Sequence, residues 1–208
     1  MYQNFFKRLI DIVLATCGII VLIPVWMILP IAIIIDDPGP IFFRQKRIGQ
    51  DENGEKRFFQ IYKYRSMKMC TPKDMPTHLL ENPEQYITKV GGFLRKTSLD
   101  ELPQLFNILM GDMSIIGPRP ALWNQDDLYA ERAKYGANAV KPGLTGWAQI
   151  NGRDELSIVV KARFDGEYVQ KMSIGFDLKC FVGTIVSELK HINMGDGVLV
   201  PWRRKKKK

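Results

Sequence analysis

The stretch DIVLATCGIIVLIPVWMILPIAIIIDD, residues 11–37, is strongly apolar and decides what the N-terminal part of the chain can be. From Ile12 to Ile35 it has 24 residues without Asp, Glu, Lys, Arg or His. As a straight helix at about 1.5 Å per residue, they would reach roughly 36 Å, enough to cross the hydrocarbon core of a bilayer. We therefore expect a membrane anchor rather than a cleaved signal peptide, whose apolar region would be shorter.

Pro24 lies in the middle of this segment and bears on the form of the anchor. A proline inside a helix removes one backbone hydrogen bond and kinks or breaks the helix. A single-pass helix normally has its basic residues on one side, but here they occur on both sides, namely Lys7, Arg8, Arg44, Lys46 and Arg47. The pattern favours a re-entrant helix-break-helix that enters and leaves on the cytosolic side. A kinked transmembrane helix is the alternative.

The positive charge of the chain is concentrated at its C-terminus. The 208 residues include 30 Lys and Arg and 22 Asp and Glu, for a formal net charge of +8. The last six residues, 203–208, are all basic, so the rest of the chain is nearly neutral. This distribution predicts no broad nucleic-acid-binding face and no nucleic-acid partner. The basic tail is either simply solvated or attracted to anionic membrane lipids.

We expect three parts: an anchor at residues 1–36, a cytosolic domain of mainly helical α+β structure at 37–202, and the tail. Two extended stretches, PGPIFFRQKRIG and RFFQIYKYRSM, flank an Asn53-Gly54 turn and predict a β-hairpin near the membrane. Helices are predicted at 90–95, 99–110, 123–135 and 155–170. A last helix carries an amphipathic stripe of Leu178, Phe181, Val182, Ile185 and Leu189. Such a stripe usually packs in a core, although in an anchored chain it also suits an interfacial helix.

Two loops carry polar residues in patterns that suit phosphate binding. In MGDMSIIGPRPAL, residues 110–122, Arg119 lies between two prolines whose fixed φ angles make a stiff mount for its guanidinium. In KPGLTGWAQINGR, residues 141–153, three glycines accompany Gln149 and Arg153, so backbone amides could close around a nucleotide. Neither loop is specific by itself. The P-loop, dinucleotide-binding and serine-hydrolase fingerprints do not occur in the sequence.

The stretch TSLDELPQLFNIL, residues 97–109, places two adjacent acids before an apolar run. One interpretation is a capping box, with Ser98 as N-cap and Glu101 as its partner at N3. If Asp100 caps the helix instead, Pro103 falls within the first turn and forfeits no hydrogen bond. In either register Asp100 lies at a helix N-terminus, where it stays ionised and could attack phosphorus or hold the cofactor that we expect, Mg²⁺. Capping and catalysis are compatible, and the pattern alone does not choose between them.

Four motifs follow the apolar N-terminal segment, in chain order DPGPIFFRQKRIG, IYKYRSM, SLDELPQLFNILMGDMSIIGPRP and KPGLTGWAQINGR. Together they closely resemble the bacterial sugar transferase family, the monotopic phosphoglycosyl transferases, over nearly the whole chain. The length is similar to that of the small, PglC-like members. The resemblance implies transfer of a sugar-1-phosphate from a UDP-sugar to polyprenyl phosphate, with release of UMP, at the cytosolic face of a bacterial inner membrane. Membrane lipids are then partners, and the oligomeric state is left open, a homodimer included.

The resemblance also implies roles for individual residues. The Asp-Glu pair of the family matches Asp100 and Glu101, with Asp100 as the nucleophile of a ping-pong reaction and Glu101 as its assistant. The break in the family's re-entrant helix matches Pro24. Contacts with donor or phosphate are implied for the two arginines Arg95 and Arg119, and more weakly for Lys63, Gln149 and Arg153.

Two positions depart from the family's pattern. Ile23 precedes Pro24 where serine is common, so a hydroxyl that could satisfy the broken helix is missing. The second loop begins with Lys141 where arginine is usual, which removes a planar fork for bidentate phosphate binding. Two other accounts stay open: a membrane-anchored binding or regulatory module whose acids only cap a helix, and a direct transfer in a ternary complex without a covalent intermediate.

Overall fold

A computed structural model describes residues 2–71, 82–152 and 156–194 of the chain. The described residues form a mainly helical α+β fold, as the sequence predicts. They include two small two-stranded sheets, of which the sequence predicts only the hairpin. Arg153 and the basic tail at 203–208 lie outside the described residues.

The apolar segment forms two helices with a break between them. A π-helical turn at Tyr2–Phe6 leads into α1 (Lys7–Val21), and α2 (Ile23–Asp36) follows. At Leu22, between the helices, φ is −94° and ψ is 14°. Pro24 lies in the first turn of α2, where a missing N–H forfeits no bond, and the two helices are bent by 64°. The predicted break beside Pro24 is confirmed.

The length, composition and exposed apolar side chains of α1 and α2 are compatible with membrane contact. Among the described residues, no single helix is long and apolar enough to cross a bilayer, but α1 and α2 pass that test together as a bent pair. Many of their large apolar side chains point outward, with Val21 74% and Ile35 77% exposed. The re-entrant topology itself stays a prediction.

The predicted β-hairpin is present. Strand β1 (Phe42–Ile48) pairs antiparallel with β2 (Phe58–Tyr64), in a register that places Phe43 opposite Lys63. Asn53 and Gly54 have φ angles of 54° and 83°, in the left-handed region that tight hairpin turns require and that these two residue types tolerate. The turn signal in the sequence therefore has the expected physical basis.

The helices of the body lie close to their predicted positions. The predicted helix at 99–110 is split into a 3₁₀ turn at Leu99–Glu101 and a shorter α-helix. The α-helices and strands after β2 are α3 (Lys89–Lys96), α4 (Gln104–Met110), β3 (Ser114–Ile116), α5 (Asp126–Ala133), β4 (Gly143–Thr145), α6 (Trp147–Ile150), α7 (Ile158–Lys171) and α8 (Ile174–Met194). Strand β3 pairs parallel with β4.

The β3–β4 sheet brings the two predicted polar loops together, and glycines make this possible. A Cβ at Gly143 would lie 2.1 Å from the Gly117 nitrogen, and a Cβ at Gly146 would lie 2.0 Å from the Gly117 oxygen. Both distances are impossibly short for a side chain. These two glycines are therefore explained by backbone packing between the loops.

Helix α1 is attached to the body by buried polar contacts as well as by packing. The Lys7 ammonium lies 2.6 Å from Asp177 of α8, and Asp11 accepts hydrogen bonds from Ser114 Oγ at 3.0 Å and Ile115 N at 2.9 Å. Ala15, one turn further on, is fully buried in the main core cluster. The first turns of α1 are thus built into the core, whereas the predicted boundary between residues 36 and 37 stays a prediction.

The amphipathic stripe of α8 does not pack in the core, so that interpretation of the pattern is wrong. Leu178 is 60% exposed and Val182 is 51% exposed, and Phe181 and Ile185 are exposed as well. The opposite face supplies the core contact instead, through the fully buried Cys180. A continuous apolar face open to the surroundings is typical of an interfacial helix.

Candidate functional site

The two adjacent acids lie in a tight turn that leads into α4. Ser98 has a left-handed backbone with φ of 54°, the 3₁₀ turn Leu99–Glu101 follows, and Pro103 occupies the cap position before α4. Within the described part of the chain, no side-chain capping hydrogen bond forms at Ser98 or at the start of α4. The capping box is wrong, because Ser98 makes no capping bond and the Glu101 side chain is bound by other residues. The alternative cap at Asp100 is wrong as well, because Asp100 lies within the 3₁₀ turn and Pro103 holds the cap position.

Glu101 is held by two cations from distant parts of the sequence. Lys63 Nζ, at the end of strand β2, donates a hydrogen bond to Glu101 Oε1 at 2.7 Å. Arg119 Nη2, in the loop after β3, donates to the same oxygen at 3.1 Å. The Glu101 side chain is largely buried, at 17% exposure. Such charge-assisted hydrogen bonds to one carboxylate fix its orientation.

Asp100 lies beside this cluster and is paired less closely. It is buried, with 9% of its surface exposed. Among the described residues its ion pair is with Lys63, whose Nζ lies 3.8 Å from Asp100 Oδ2, beyond hydrogen-bond distance. The two neighbouring carboxylates thus share one lysine unequally.

The unequal pairing separates the pKa values of the two acids. Burial raises the pKa of Asp100 above its ordinary value, and the charge of Glu101 adds to this effect, while Lys63, Arg95 and Arg119 oppose it. Burial would also raise the pKa of Glu101, but Lys63 and Arg119 outweigh it and hold that pKa well below its ordinary value. Glu101 is therefore ionised at neutral pH, and Asp100 is the one of the two acids whose charge is less stabilised by its surroundings.

Arg95 approaches the pair from α3. Its Nε donates a hydrogen bond to Ser66 Oγ at 2.9 Å, which orients the guanidinium from the chain that follows β2. Burial lowers the pKa of Arg95, and the negative charge of Asp100 raises it again. Arg95 therefore contributes to the field at Asp100, with Ser66 as an orienting residue that the sequence reasoning missed.

Arg119 is supported by a second buried ion pair. Arg132 of α5 donates a hydrogen bond from Nη2 to the Arg119 carbonyl at 3.0 Å, and its guanidinium lies 2.7 Å from Asp165 of α7. This support, in addition to the flanking prolines, fixes the loop that carries Arg119. Arg132 and Asp165 are separated by 33 residues, so no local pattern in the sequence predicts that they pair.

One of the weaker candidates, Gln149, is engaged within its own loop, and another cannot be placed relative to the acids. Gln149 Nε2 donates a hydrogen bond to the Leu144 carbonyl of its own loop at 3.0 Å, and its buried Oε1 has no hydrogen-bond partner within the described residues. Arg153 lies outside the described residues. The structure therefore assembles Lys63, Asp100, Glu101 and Arg119, with Arg95 nearby.

The donors among the described residues suit a metal site that substrate completes. Among the described residues, no group of three or more His, Cys, Asp or Glu side chains could hold a metal ion. Mg²⁺ characteristically takes one or two carboxylates together with substrate phosphates and water, so the loosely paired carboxylate of Asp100 fits that mode. Lys63 and Arg119 occupy Oε1 of Glu101, which makes that residue the poorer ligand.

Comparison with known protein families shows to which family the chain is related. A family model described as bacterial sugar transferase matches residues 2–191. The chain belongs to this family. The resemblance noted from the motifs is thus confirmed.

Curated relatives point to the same family of transferases. The UDP-glucose:undecaprenyl-phosphate glucose-1-phosphate transferase of Escherichia coli is 42% identical over 190 residues, which cover 88% of this chain and 40% of the relative. The exopolysaccharide production protein ExoY of Sinorhizobium fredii is 36% identical, over 86% of this chain and 83% of its own. An undecaprenyl-phosphate galactose phosphotransferase of Salmonella typhimurium is 35% identical, over 85% and 39%. The chain thus spans about two fifths of the length of the E. coli and Salmonella relatives.

Proposed function

We propose that this protein is a phosphoglycosyl transferase that moves a sugar-1-phosphate from a UDP-sugar to polyprenyl phosphate and releases UMP. The observation that carries the proposal is the buried Asp100, whose pKa is raised, beside a Glu101 that Lys63 and Arg119 hold as an anion. A carboxylate poorly stabilised by its surroundings is a reactive one, and nearby cations suit an anionic phosphate substrate. The named activities of the curated relatives support the same reaction class.

In the first step, an Asp100 oxygen attacks the phosphorus that carries the sugar. The bond from this phosphorus to the bridging oxygen breaks, and that oxygen leaves with its electron pair as part of UMP. A phosphosugar is then bound covalently to Asp100. Lys63, 3.8 Å from Asp100, and Arg119 offset the negative charge that develops on the transferred group.

In the second step, a phosphate oxygen of polyprenyl phosphate attacks the same phosphorus. The bond between Asp100 and phosphorus breaks, the carboxylate is restored, and polyprenyl diphosphosugar is the product. Glu101 holds Lys63 and Arg119 in position through both steps, because it contacts both at hydrogen-bond distance. No proton has to be transferred to the leaving UMP, since its phosphate leaves as an anion.

Mg²⁺ is the cofactor of this proposal. Asp100 would contribute the protein ligand, and substrate phosphates would supply others. When bound, Mg²⁺ neutralises phosphate charge and makes the phosphorus easier to attack.

The apolar surfaces support a position at the cytosolic face of a bacterial inner membrane. The bent α1–α2 pair would enter the bilayer and return as a re-entrant anchor, and the exposed stripe of α8 would lie on its surface. This topology places Lys7 and the residues after Arg44 on the same side. Labelling of single cysteines from the two sides of inverted vesicles tests it, because the cytosolic face is on the outside of such vesicles. An N-terminus labelled only from the lumen, which is the periplasmic side, would contradict it.

The reaction is tested by UMP release. Purified protein with Mg²⁺, polyprenyl phosphate and a panel of UDP-sugars should release UMP with at least one donor. Asp100→Asn should lower the rate by about 10⁴-fold or more, because an amide cannot form the covalent bond. Asp126→Asn is the matched control, since this exposed aspartate of α5 pairs only with Lys56 among the described residues. Full activity of Asp100→Asn would rule out the nucleophile, and no UMP with any donor would contradict the reaction.

A further inference from the structure

The last residue of α2 makes a polar contact with the body of the protein that the proposed chemistry does not use. Asp36 ends α2, and its Oδ2 accepts a hydrogen bond from the backbone nitrogen of Val90 at 2.7 Å. Val90 is the second residue of α3, so its N–H belongs to the first turn and has no partner within the helix. Asp36 therefore holds the start of α3 from outside that helix.

The opposite end of α3 carries Arg95 and leads to the two acids. Arg95 lies in the last turn of α3, and Asp100 lies four residues beyond the end of the helix. Arg95 donates a hydrogen bond to Ser66 Oγ, and its charge lowers the pKa of Asp100. Helix α3 has eight residues, so at about 1.5 Å per residue it is roughly 12 Å long. A displacement of so short a helix at Val90 would also displace Arg95.

The chain that orients Arg95 is in close contact with α3 and with the end of the anchor. A Cβ at Gly91 would lie 2.0 Å from the Ser66 oxygen, so the backbone of α3 packs directly on Ser66. Asp37, the residue after α2, has its Oδ2 3.2 Å from Nη1 of Arg65, which precedes Ser66 in the chain. The end of the anchor is thus connected to both elements that orient Arg95, namely α3 and the chain after β2.

Apolar contacts join α2 to the turn that carries the acids. Leu29 and Ile33 of α2 form one buried cluster with the fully buried Leu94 of α3. Leu99 and Leu102, which flank the two acids in the sequence, pack against this cluster. Helix α2 therefore supports both α3 and the turn that follows it.

We propose that Asp36 is a positioning residue for the reaction at Asp100, because it holds α3 in the position that keeps Arg95 beside this acid. The inference rests on the proposed function and adds to it a residue of the membrane anchor. Asp36 acts through the backbone of Val90 and is assigned no contact with substrate. A cation beside the transferred phosphate acts most strongly on the charge that develops in the transition state. Loss of Asp36 should therefore affect kcat more than the KM for the UDP-sugar.

The test is a double-mutant cycle between Asp36→Ala and Arg95→Gln, measured by UMP release. We expect Asp36→Ala to lower kcat by about tenfold and Arg95→Gln by about 100-fold, with the KM for the UDP-sugar within about threefold of the unmodified value. In the Arg95→Gln background, Asp36→Ala should lower kcat further by less than about twofold, because the residue through which it acts is gone. Equal factors in the two backgrounds would overturn the proposal.

Two further variants separate the hydrogen bond of Asp36 from the general stability of α3. Asp36→Asn keeps an oxygen that can accept from the Val90 N–H, so its kcat should stay within about threefold of the unmodified value. Thr88→Ala is the matched control, since Thr88 Oγ1 accepts from the Gly91 nitrogen at 2.9 Å and caps the same helix without contact to the anchor. Its kcat should fall by less than about twofold, although the loss of a cap lowers the melting temperature. A loss of kcat in either variant equal to that of Asp36→Ala would overturn the proposal.

Hydrogen exchange tests the link without turnover and so separates it from the proposed function. In Asp36→Ala, the backbone amides of α3 and of the turn Leu99–Glu101 should exchange at least about threefold faster than in the unmodified protein, whereas those of α7 should not change. In Thr88→Ala, faster exchange should be confined to α3. Unchanged exchange of the turn in Asp36→Ala would overturn the inference even if UMP is released. Faster exchange of the turn in a protein that releases no UMP would support the link and count against the proposed function.

Discussion

Two buried acidic clusters in this protein differ in how completely their carboxylates are paired. At Asp177 of α8, both oxygens have strong donors. The Lys7 ammonium and the Tyr2 hydroxyl each lie 2.6 Å from Oδ2, and the Tyr168 hydroxyl donates to Oδ1 at 2.8 Å. In the candidate site, Glu101 is paired with two cations, but Asp100 has only the 3.8 Å contact with Lys63 among its described ion pairs.

The difference indicates two uses of buried charge. Full pairing at Asp177 joins the start of α1 to α8 across 170 residues of sequence, so the cluster serves the structure. Partial pairing at Asp100 leaves a carboxylate whose ionised form is disfavoured by burial, so it is available for reaction. Stability should therefore depend most on the cluster at Asp177, and reactivity on Asp100.

The largest effect on stability is expected at the fully paired cluster. Lys7→Met should lower the free energy of unfolding by about 3–5 kcal/mol, because it leaves Asp177 buried without its cation. Denaturation in detergent, followed by circular dichroism, measures the change. Lys171→Met is the control, since Lys171 forms an exposed pair with Glu167, which is worth less than about 1 kcal/mol. Equal stability of Lys7→Met and the control would contradict a structural role for this cluster.

A smaller effect of opposite sign is expected at the two neighbouring acids. At neutral pH, Asp100→Asn should raise the free energy of unfolding by about 1 kcal/mol, because it removes a charge that burial disfavours. Glu101→Gln should lower it by a similar amount, since Lys63 and Arg119 lose their partner.

The pH dependence of these two stability effects follows from the directions of the pKa shifts. Because the pKa of Asp100 is raised, its buried charge lowers the free energy of unfolding at pH values above that pKa and has no such effect below the ordinary aspartate pKa. The stabilisation by Asp100→Asn should therefore vanish in acid. Because the pKa of Glu101 is lowered, its charge raises the free energy of unfolding at pH values above the ordinary glutamate pKa, and this stabilisation is lost as the pH falls toward the lowered pKa. Unfolding measured at neutral and acidic pH checks both signs, and destabilisation by Asp100→Asn at neutral pH would contradict the assignment.

The smallest expected effect is a shift in the pH at which kcat/KM for the UDP-sugar falls on the acidic side. Asp100 must be ionised to attack, so kcat/KM for the UDP-sugar should fall as the pH drops through its raised pKa. Lys63→Gln should move this fall to higher pH by up to about one unit, because the lysine charge lowers the pKa of Asp100. A fall that moves to lower pH, or does not move, would contradict the role of Lys63.

The elements that could be predicted from the sequence are those set by local chemistry. Pro24 interrupts the apolar helix, and Asn53 and Gly54 accept the positive φ angles of a hairpin turn. The adjacency of Asp100 and Glu101 is also local. In each case the physical cause lies within a few residues of the effect, so the pattern is enough.

The elements that could not be predicted depend on contacts distant in sequence. The capping box failed because Glu101 is bound by Lys63 and Arg119, which lie 38 and 18 residues away. The α8 stripe was misjudged because periodicity identifies an apolar face but not what covers it. The pairing of Lys7 with Asp177 has no local signal in the sequence, and Lys63 was a candidate only through the family resemblance.

The central claim is that Asp100 carries the phosphosugar during the reaction. It is tested most directly by intact-protein mass after a single turnover with Mg²⁺ and a UDP-sugar but no acceptor, followed by peptide mapping. The account predicts one added sugar phosphate on the peptide that contains Asp100, about one UMP per protein, and loss of the adduct when polyprenyl phosphate is added. UMP that appears only after the acceptor is added, with no adduct beforehand, would contradict the claim and favour direct transfer in a ternary complex.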